Sequence, residues 1–279
     1  MENVVPTIYA AHLQTCMFHR LAYTPLQYTT LNERLGIQSG VAIPSGQYPL
    51  VGYYAIGDGG HTHTVSGDGA SVLVLRQHQP SDAGLFNQMP FVLRRTTDDL
   101  APVDRQRYAL RKEVTINNVV YIAYYLRRID LSAAAVSLQR RTGSGANVTM
   151  TNFTPTAANL TPTPQILSNS NVNVVTADAL VASVPLSVTM NAVDIAEYLN
   201  VAQIIYGDPN RAIISETALV SGLDKVVTIN AASGAFNFNE VICAQIVSHI
   251  ADYQAVAFNN AGITKSLDSG ANTPLFTLV

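Results

Sequence analysis

Residues 114–126 read VTINNVVYIAYYL and carry the clearest local signal in the chain. Asn117 and Asn118 tolerate the left-handed backbone that a two-residue hairpin turn requires, so the stretch predicts two antiparallel strands joined at these asparagines. The returning strand, residues 119–126, is apolar or aromatic on both of its faces. Because such a strand must be covered on both sides, it requires two layers of its own domain or a neighbouring chain.

Further strand-like segments lie on both sides of this hairpin. They are residues 48–56, 71–76, 212–215 and 226–229. Glycine and aspartate clusters separate the first two segments, which predicts that residues 48–56 and 71–76 pair as a hairpin with a long loop.

Two helices are predicted, both in the second half of the chain. Asn191 can cap the first, which Gly-Asp-Pro at residues 207–209 ends. The second is predicted from about Asn239 to Phe258. Its evidence is a capping pair followed by an apolar stripe at a period near four: Asn237 and Glu240, then Ile242, Ile246, Ile250 and Tyr253. The expected fold class is mainly β with a few helices (α+β), in antiparallel β-sandwich-like layers with the helices concentrated in the C-terminal half.

The middle of the chain has a composition of its own. Residues 142–177 contain no ionisable side chain, are rich in Thr and Asn, and include Thr-Pro steps, which keep the backbone extended. Since an uncharged segment makes a poor solvated linker, we expect an extended arm lying on a neighbour, or a hairpin about residues 143–145 followed by a crossing segment. The predicted organisation is a β-rich domain at 1–141, this arm at 142–177, and an α+β part with two helices at 178–279.

The overall composition favours a subunit of an assembly. Hydrophobic residues make up 48% of the chain and charged residues 13%, roughly half of the usual share of about 25%. Of the 16 basic residues 13 are arginine, the cation that suits buried pairs and interfaces. Residues 1–141 carry a net charge of +3 and residues 142–279 a net charge of −6, which either steers head-to-tail docking of copies or reflects chance among few charges.

Several classes of protein are disfavoured. Cys16 and Cys243 cannot form a disulfide framework, and the N-terminal residues do not resemble a secretory signal. The apolar stretch at residues 172–196 is interrupted by two aspartates and a proline, so no membrane span is predicted. No nucleophile elbow, phosphate loop, dinucleotide fingerprint or helical zinc-protease motif occurs, and the chain is therefore predicted not to be an enzyme.

One histidine pair suggests a metal site. His61 and His63, in the sequence GGHTH at residues 59–63, would point the same way on an extended strand, and neutral imidazole is a good ligand for transition metals. This G-x-H-x-H pattern resembles the iron-binding stretches of trimeric phage tail fibres. One chain supplies two ligands and three copies about an axis would supply six. The simpler interpretation is a solvated loop with two exposed histidines, and we therefore expect no cofactor. The alternative is a transition metal that these histidines share between chains.

A second set of potential ligands is less favoured. His12, Cys16 and His19 would share one face of a helix and could form a zinc set. The alternation that begins at Ile8 and Tyr9 is more typical of a strand, which would turn His19 away from the other two side chains.

Positive charge is concentrated in residues 91–141, where tyrosines are interspersed among ten basic and five acidic residues. A nucleic-acid face needs such a stripe, but the net charge of the whole chain is −3, which disfavours nucleic acid as a partner. A subunit interface fits the preference of interfaces for Arg and Tyr better. Its predicted residues are Arg94, Arg95, Arg127, Arg128, Tyr121, Tyr124 and Tyr125, with the arginines facing acidic residues of the second half of the chain.

Two stretches carry a resemblance to a known group of proteins. They read FVLRRTTDDL at residues 91–100 leading to YALRK at 108–112, and IIYGDP at 204–209 leading to IISE at 213–216. Both resemble virion structural proteins of tailed bacteriophages. The resemblance implies a multi-copy subunit of the tail, baseplate or head-to-tail region, whose partners are copies of itself and other virion proteins.

The sequence thus predicts a non-enzymatic structural subunit that assembles in the host cytoplasm and resides in the virion. Two alternatives belong to another class. One is a receptor- or glycan-binding tip, or a capsid decoration protein, with a metal site at His61 and His63. The other is a nucleic-acid contact through the arginine-rich stretch.

Overall fold

In a computed structural model of the protein, the residues described are 3–145, 147–162, 173–258 and 261–278. Within these ranges the strands are β1 (Asn3–Pro6), β2 (Leu50–Gly57), β3 (His61–Val65), β4 (Ser71–Leu75), β5 (Gln88–Met89), β6 (Val92–Arg95), β7 (Tyr108–Ile116), β8 (Val119–Arg128), β9 (Ser137–Thr142), β10 (Thr149–Asn152), β11 (Asn173–Met190), β12 (Ile213–Ala231), β13 (Gly234–Ala255) and β14 (Ile263–Leu278). The α-helices are α1 (Ile8–His19), α2 (Leu31–Arg34), α3 (Pro102–Arg105), α4 (Ala157–Leu160) and α5 (Ala192–Tyr206), and short 3-10 turns occupy Pro209–Arg211 and Val256–Phe258. The predicted fold class, mainly β with a few helices and with antiparallel sheets, is confirmed.

The chain forms two compact units. Unit 1 consists of Met1–Ile129 with Thr189–Thr264, and unit 2 consists of Asp130–Val188 with Lys265–Val279. This division differs from the predicted boundaries after residues 141 and 177, because β14 pairs with β11 and brings the end of the chain into unit 2. The predicted arm at 142–177 contains β10 and α4. Residues 146 and 163–172 of that arm lie outside the described residues, and its contact with a neighbour stays a prediction.

Unit 1 is built on an eight-stranded antiparallel sheet in the order β1-β13-β12-β2-β8-β6, with β5 paired to β2 and β7 paired to β8. The predicted hairpin is confirmed, since Ile116 faces Val119 and the two asparagines of the turn have φ angles of 50° and 63°. Residues 122–126 of β8 are all buried within the single chain. The chain therefore covers both faces of residues 122–126 itself, whereas Val120 at the start of the strand is exposed.

The second predicted helix, about Asn239 to Phe258, is wrong, because these residues belong mainly to β13. β13 pairs with β1 on one side and with β12 on the other, and residues 240–247 are buried on both faces. Positions four apart lie on one face of a strand as well as near one face of a helix. The spacing of Ile242, Ile246 and Ile250 is thus compatible with a strand that is buried on both faces, and it misled the prediction.

The expectation that helices concentrate in the C-terminal half is also wrong, since α1, α2 and α3 precede residue 106. The predicted strand at the start of α1 is a helix because Thr7 caps it, with the Thr7 hydroxyl accepting from the Ala10 N–H at 3.2 Å. Arg20 ends α1 in the left-handed conformation. The first predicted helix is confirmed as α5, which Asn191 caps and Gly207 ends.

The predicted hairpin between residues 48–56 and 71–76 contains the right strands with the wrong partners. β4 pairs with β3, which lies inside the expected loop, and β2 pairs with β12, β5 and β8. The two segments expected at 212–215 and 226–229 are parts of one long strand, β12.

Unit 2 contains a four-stranded sheet in the order β10-β9-β11-β14. Gly270 of β14 lies so close to the backbone of Ala182 and Ser183 on β11 that a Cβ atom at this position would clash with it. Within the described parts of the chain, no helix has the length and apolar character needed to cross a membrane.

The turn at Asn117 and Asn118 provides a test of the hairpin. Asn118 has a φ angle of 63°, a conformation that costs a residue with a Cβ atom roughly 1–2 kcal/mol and costs glycine little. We expect Asn118→Ala to lower the free energy of unfolding by about 1 kcal/mol, because alanine lacks the side-chain hydrogen bonds that help asparagine adopt this conformation. Asn118→Gly should leave it unchanged or raise it in urea denaturation. Equal losses for both variants would contradict the assigned turn.

Candidate functional site

The predicted histidine pair lies on β3, which forms a separate two-stranded sheet with β4. The ring centroids of His61 and His63 are 5.7 Å apart, so the prediction that both side chains point the same way is confirmed. The His61 ring also lies 5.1 Å from the ring of Tyr253. Burial is the main cause that lowers the pKa of His61, and the nearby His63 lowers it further. Both favour the neutral imidazole that a metal needs.

One chain does not complete a metal site with these histidines. No group of three or more His, Cys, Asp or Glu side chains able to hold a metal is found among the described residues. Further ligands would have to come from other copies, and the shared metal stays a prediction. The set of His12, Cys16 and His19 lies on α1 after all, but Cys16 is buried against Leu13 and Tyr23.

Three of the four predicted interface arginines pair with acidic residues of the second half of the chain, but the partners belong to the same chain. Arg94 pairs with Glu197, Arg127 Nη1 lies 2.5 Å from Asp194 Oδ2, and Arg128 Nη1 lies 2.6 Å from Asp224 Oδ2. The sequence thus indicated the half of the chain that supplies the acidic partners, without naming them, and these three pairs form within one chain. Arg95 is exposed, and its role at an interface stays a prediction.

Asp194 is the most buried carboxylate of this arginine network. Its side chain is 2% exposed, and Arg107 Nη2 approaches it at 2.6 Å in addition to Arg127. It also accepts the N–H of Asn191 at 2.8 Å and so completes the capping box of α5. One carboxylate therefore connects the N-terminus of α5 to β8 and to the segment before β7.

Two of the three predicted interface tyrosines belong to the core of unit 1. Tyr124 is fully buried, and its hydroxyl donates to Asp99 Oδ1 at 2.7 Å. Burial, reinforced by this hydrogen bond, raises the pKa of Tyr124 far above its ordinary value. Tyr125 is also buried, whereas Tyr121 is half-buried and stays a candidate for a surface contact.

A buried ionic cluster in unit 1, formed by His78, Asp82 and Glu216, was not predicted from the sequence. His78 lies between two carboxylates, with Nδ1 at 3.1 Å from Asp82 and Nε2 at 2.9 Å from Glu216. The rings of Phe86 and His249 stack on its two sides at centroid distances of 4.0 Å and 3.8 Å. Both ring nitrogens of His78 therefore face carboxylate oxygens.

The surroundings of this cluster shift the pKa values of Glu216 and His249. The backbone N–H groups of Gly59, Phe86 and Asn87 donate to Glu216. Burial raises the pKa of Glu216, but the hydrogen bonds from His78 and from the backbone outweigh it and hold that pKa below its usual range. Burial, followed by the charge of His78, lowers the pKa of His249 to about 4, so His249 is neutral at pH 7. His78 and Glu216 are 138 positions apart, and no local pattern announces their contact.

A cavity of about 500 Å³ lies under residues 23–43 in unit 1. Cys243 lines it, and the thiol donates to the carbonyl oxygen of Val41 at 3.1 Å. Burial, followed by Glu33, raises the pKa of this thiol to about 11. The thiol is therefore protonated at neutral pH and unsuited to act as a nucleophile.

Unit 2 presents an unusual surface. Among its described residues, four hydrophobic ones are buried: Ala179, Leu186, Val188 and Leu267. Its exposed large hydrophobic residues are more numerous and lie on all four strands and on the connecting segments: Leu131, Val136, Leu138, Val148, Met150, Leu160, Val174, Val175 and Phe276. We call these nine residues the unit 2 apolar surface.

Comparison with known proteins places the chain in a family. A family model described as "Family of unknown function (DUF7208)" matches residues 1–278, and the chain belongs to this family. No curated protein and no solved structure matches it.

The arginine network predicts unequal effects of charge reversal. Arg127→Glu places a second negative charge beside the buried Asp194 and should lower the free energy of unfolding by about 3–5 kcal/mol, the usual cost of breaking a buried ion pair. Arg128→Glu should cost about 1 kcal/mol or less, because Asp224 is 45% exposed. Arg95→Glu, at an exposed position, serves as the control in thermal and urea denaturation. Similar losses at positions 95 and 127 would contradict the role of Asp194.

The ionic cluster predicts a dependence of stability on pH. A carboxyl whose pKa is lowered by folding stabilises the protein above its unfolded value, 4.5 for Glu216, and loses that effect as the pH falls further. Glu216→Gln should therefore destabilise the protein most at pH 7, and the difference from the natural chain should narrow below pH 4.5. Urea denaturation at pH 7 and at several pH values below 4.5 measures it, with the exposed Glu113→Gln as the control. A difference independent of pH would contradict the charge assigned to Glu216.

Proposed function

We propose that this member of the DUF7208 family is a non-enzymatic structural subunit of a tailed-phage virion. In this proposal it assembles in multiple copies, in the host cytoplasm, into the tail, baseplate or head-to-tail region. Its partners are copies of itself and other virion proteins. The observation that supports the proposal most strongly is the unit 2 apolar surface.

The balance of buried and exposed apolar residues in unit 2 favours association. Val136 is 69% exposed and Val175 is 57% exposed. Fully burying a side chain of this size contributes about 1.5–3 kcal/mol, and covering the exposed part of each contributes a fraction of that. Exposed apolar patches commonly mark sites of protein contact. Covering several of these side chains would therefore favour association of the chain with a partner.

The charge distribution points the same way. Residues 142–177, which lie within unit 2, contain no ionisable side chain. Charged residues are depleted at the centres of protein interfaces because their desolvation is costly. A long uncharged segment beside exposed apolar side chains suits a surface that is covered in an assembly.

The sheet of unit 2 also offers unpaired backbone groups. β10 and β14 are the outer strands in its order among the described residues. Outer strands present N–H and C=O groups that a strand of another chain can pair with. Strand pairing between copies therefore provides both register and hydrogen bonds to the proposed assembly.

The polar clusters of unit 1 support a structural role over a catalytic one. His78, Glu216 and Asp194 are each almost completely buried and engaged in ion pairs within the chain. The Cys243 thiol is held in its protonated form. These groups stabilise the fold of the unit, and we assign them no substrate.

The histidine pair favours a second candidate function. His61 is half-buried, with its ring beside that of Tyr253, and His63 is exposed. Their rings are 5.7 Å apart, which suits joint ligation of one ion. In a trimer three such pairs would surround a metal, as in a receptor- or glycan-binding tip or a metal-bearing capsid decoration protein.

Substitutions on the unit 2 apolar surface test the proposed function. Leu138→Lys combined with Val175→Lys introduces two charges at exposed positions, so the chain should fold normally while its incorporation into phage particles falls by at least about tenfold. Thr97→Lys, exposed in unit 1, is the matched control and should be incorporated normally. Quantitative mass spectrometry of particles made from the genome that encodes the chain measures this. Absence of the natural chain from the particles, or normal incorporation of the double variant, would contradict the proposal.

A further inference from the structure

A cavity of about 230 Å³ opens in unit 1 beside the beginning of β13. Arg105 and Gln106 line it from the end of α3, and Asn237 and Asn239 line it from β13. The rings of Tyr108 and Phe236 add apolar walls. The cavity thus combines one guanidinium, three amides and aromatic rings.

The guanidinium of Arg105 shares its carboxylate with a second arginine. The Nη2 atoms of Arg105 and Arg111 both lie 3.3 Å from Asp99 Oδ2. The other oxygen of Asp99 accepts the Tyr124 hydroxyl at 2.7 Å and the Leu100 N–H at 2.8 Å. The side chains of Arg105, Arg111 and Asp99 are each exposed by 10% or less. Two positive charges therefore face one negative charge in a poorly solvated region, which is unfavourable unless a further anion compensates.

Unpaired donors accompany this excess of positive charge. The Nε atoms of Arg105 and Arg111 are buried and have no hydrogen-bond partner among the residues that the structure describes. Buried N–H groups are nearly always hydrogen-bonded in folded proteins. The Phe236 ring lies 3.9 Å from Cζ of Arg105 and stabilises the cation through its face, but it does not neutralise the charge.

The lining of the cavity suits an anion with an apolar part. No acidic side chain occurs among the lining residues described. Asn237 uses its side-chain oxygen to accept the Thr228 hydroxyl at 3.1 Å, which leaves its NH₂ group as a donor. Guanidinium and amide donors match carboxylate oxygens well, and the aromatic walls offer contact to an apolar group.

We propose that this cavity is a binding site for a carboxylate, with the carboxylate at Arg105 and the neighbouring amides and an apolar part of the ligand against Phe236. The carboxylate belongs either to a free small molecule or to an acidic side chain of a neighbouring copy. This inference does not depend on the proposed virion role, because it rests on the charges and donors of unit 1.

The test compares benzoate with benzamide, its neutral analogue of the same shape, by calorimetric titration of the full chain at constant ionic strength. We expect benzoate to bind at least about tenfold more tightly than benzamide, since charge-assisted hydrogen bonds are the stronger ones. Arg105→Gln should abolish this preference. Asn237→Ala, at an exposed position, should weaken benzoate binding without affecting the fold, and Arg95→Gln should change nothing.

Two results would overturn the proposal. They are equal affinities for benzoate and benzamide, and benzoate binding that neither Arg105→Gln nor Asn237→Ala weakens. Light scattering with added benzoate then identifies the source of the natural carboxylate. Dissociation of an oligomer by benzoate, and not by benzamide, supports a side chain of a neighbouring copy, whereas an unchanged mass with retained benzoate binding supports a free carboxylate.

Discussion

The antiparallel pairing of β12 with β13 is the interaction on which the rest of unit 1 depends. The register runs from Ile213 opposite Ala255 to Ala231 opposite Gly234, with three shifts along the way. β1 pairs with the outer side of β13 and β2 with the outer side of β12, so the sheet grows from this pair in both directions. Glu216 lies on β12, and the first residues of β13 line the cavity that we propose binds a carboxylate. The backbone packs closely at one of these shifts, between Ser221 and Leu223. A side chain at Gly222 would clash there with Val241.

This central pair explains where sequence reasoning succeeded and where it failed. The hairpin at Asn117 and Asn118 and the helix capped by Asn191 were predictable, because each is specified by residues within one short segment. β13 was not, since a strand buried on both faces lacks the polar alternation that distinguishes it from a helix. α1 was mistaken for a strand because only Leu13 and Cys16 are buried on it, and so little of its sequence shows a helical stripe.

The candidate sites, too, were predictable only where residues close in sequence decide the arrangement. Charge patterns correctly indicated that Arg94, Arg127 and Arg128 pair with acidic residues of the second half, but charge complementarity does not state whether the partner lies in the same chain. The contact of His78 with Glu216, and the sharing of Asp99 by Arg105 and Arg111, depend on the packing of segments distant in sequence. The orientation of His61 and His63 was predictable because the two-residue period of a strand decides it.

The two units differ in how they use charged and apolar side chains. The ion pairs at Asp194, Glu216 and Asp99 hold segments of unit 1 together, and their burial makes them costly to break. Among its described residues, unit 2 buries four hydrophobic side chains and exposes nine large ones. In the proposed function, neighbouring copies would cover the apolar side chains that unit 2 leaves exposed.

A native mass spectrum of the purified chain, recorded over a range of concentrations, tests the central claim most directly, because it reports the number of associated copies and any bound metal together. Coverage of the unit 2 apolar surface by neighbouring copies predicts a metal-free ring or other oligomer whose population rises with concentration. A trimer with one metal ion per three chains would move the assignment to a tip built on His61 and His63. A monomer at every concentration would contradict self-assembly through unit 2.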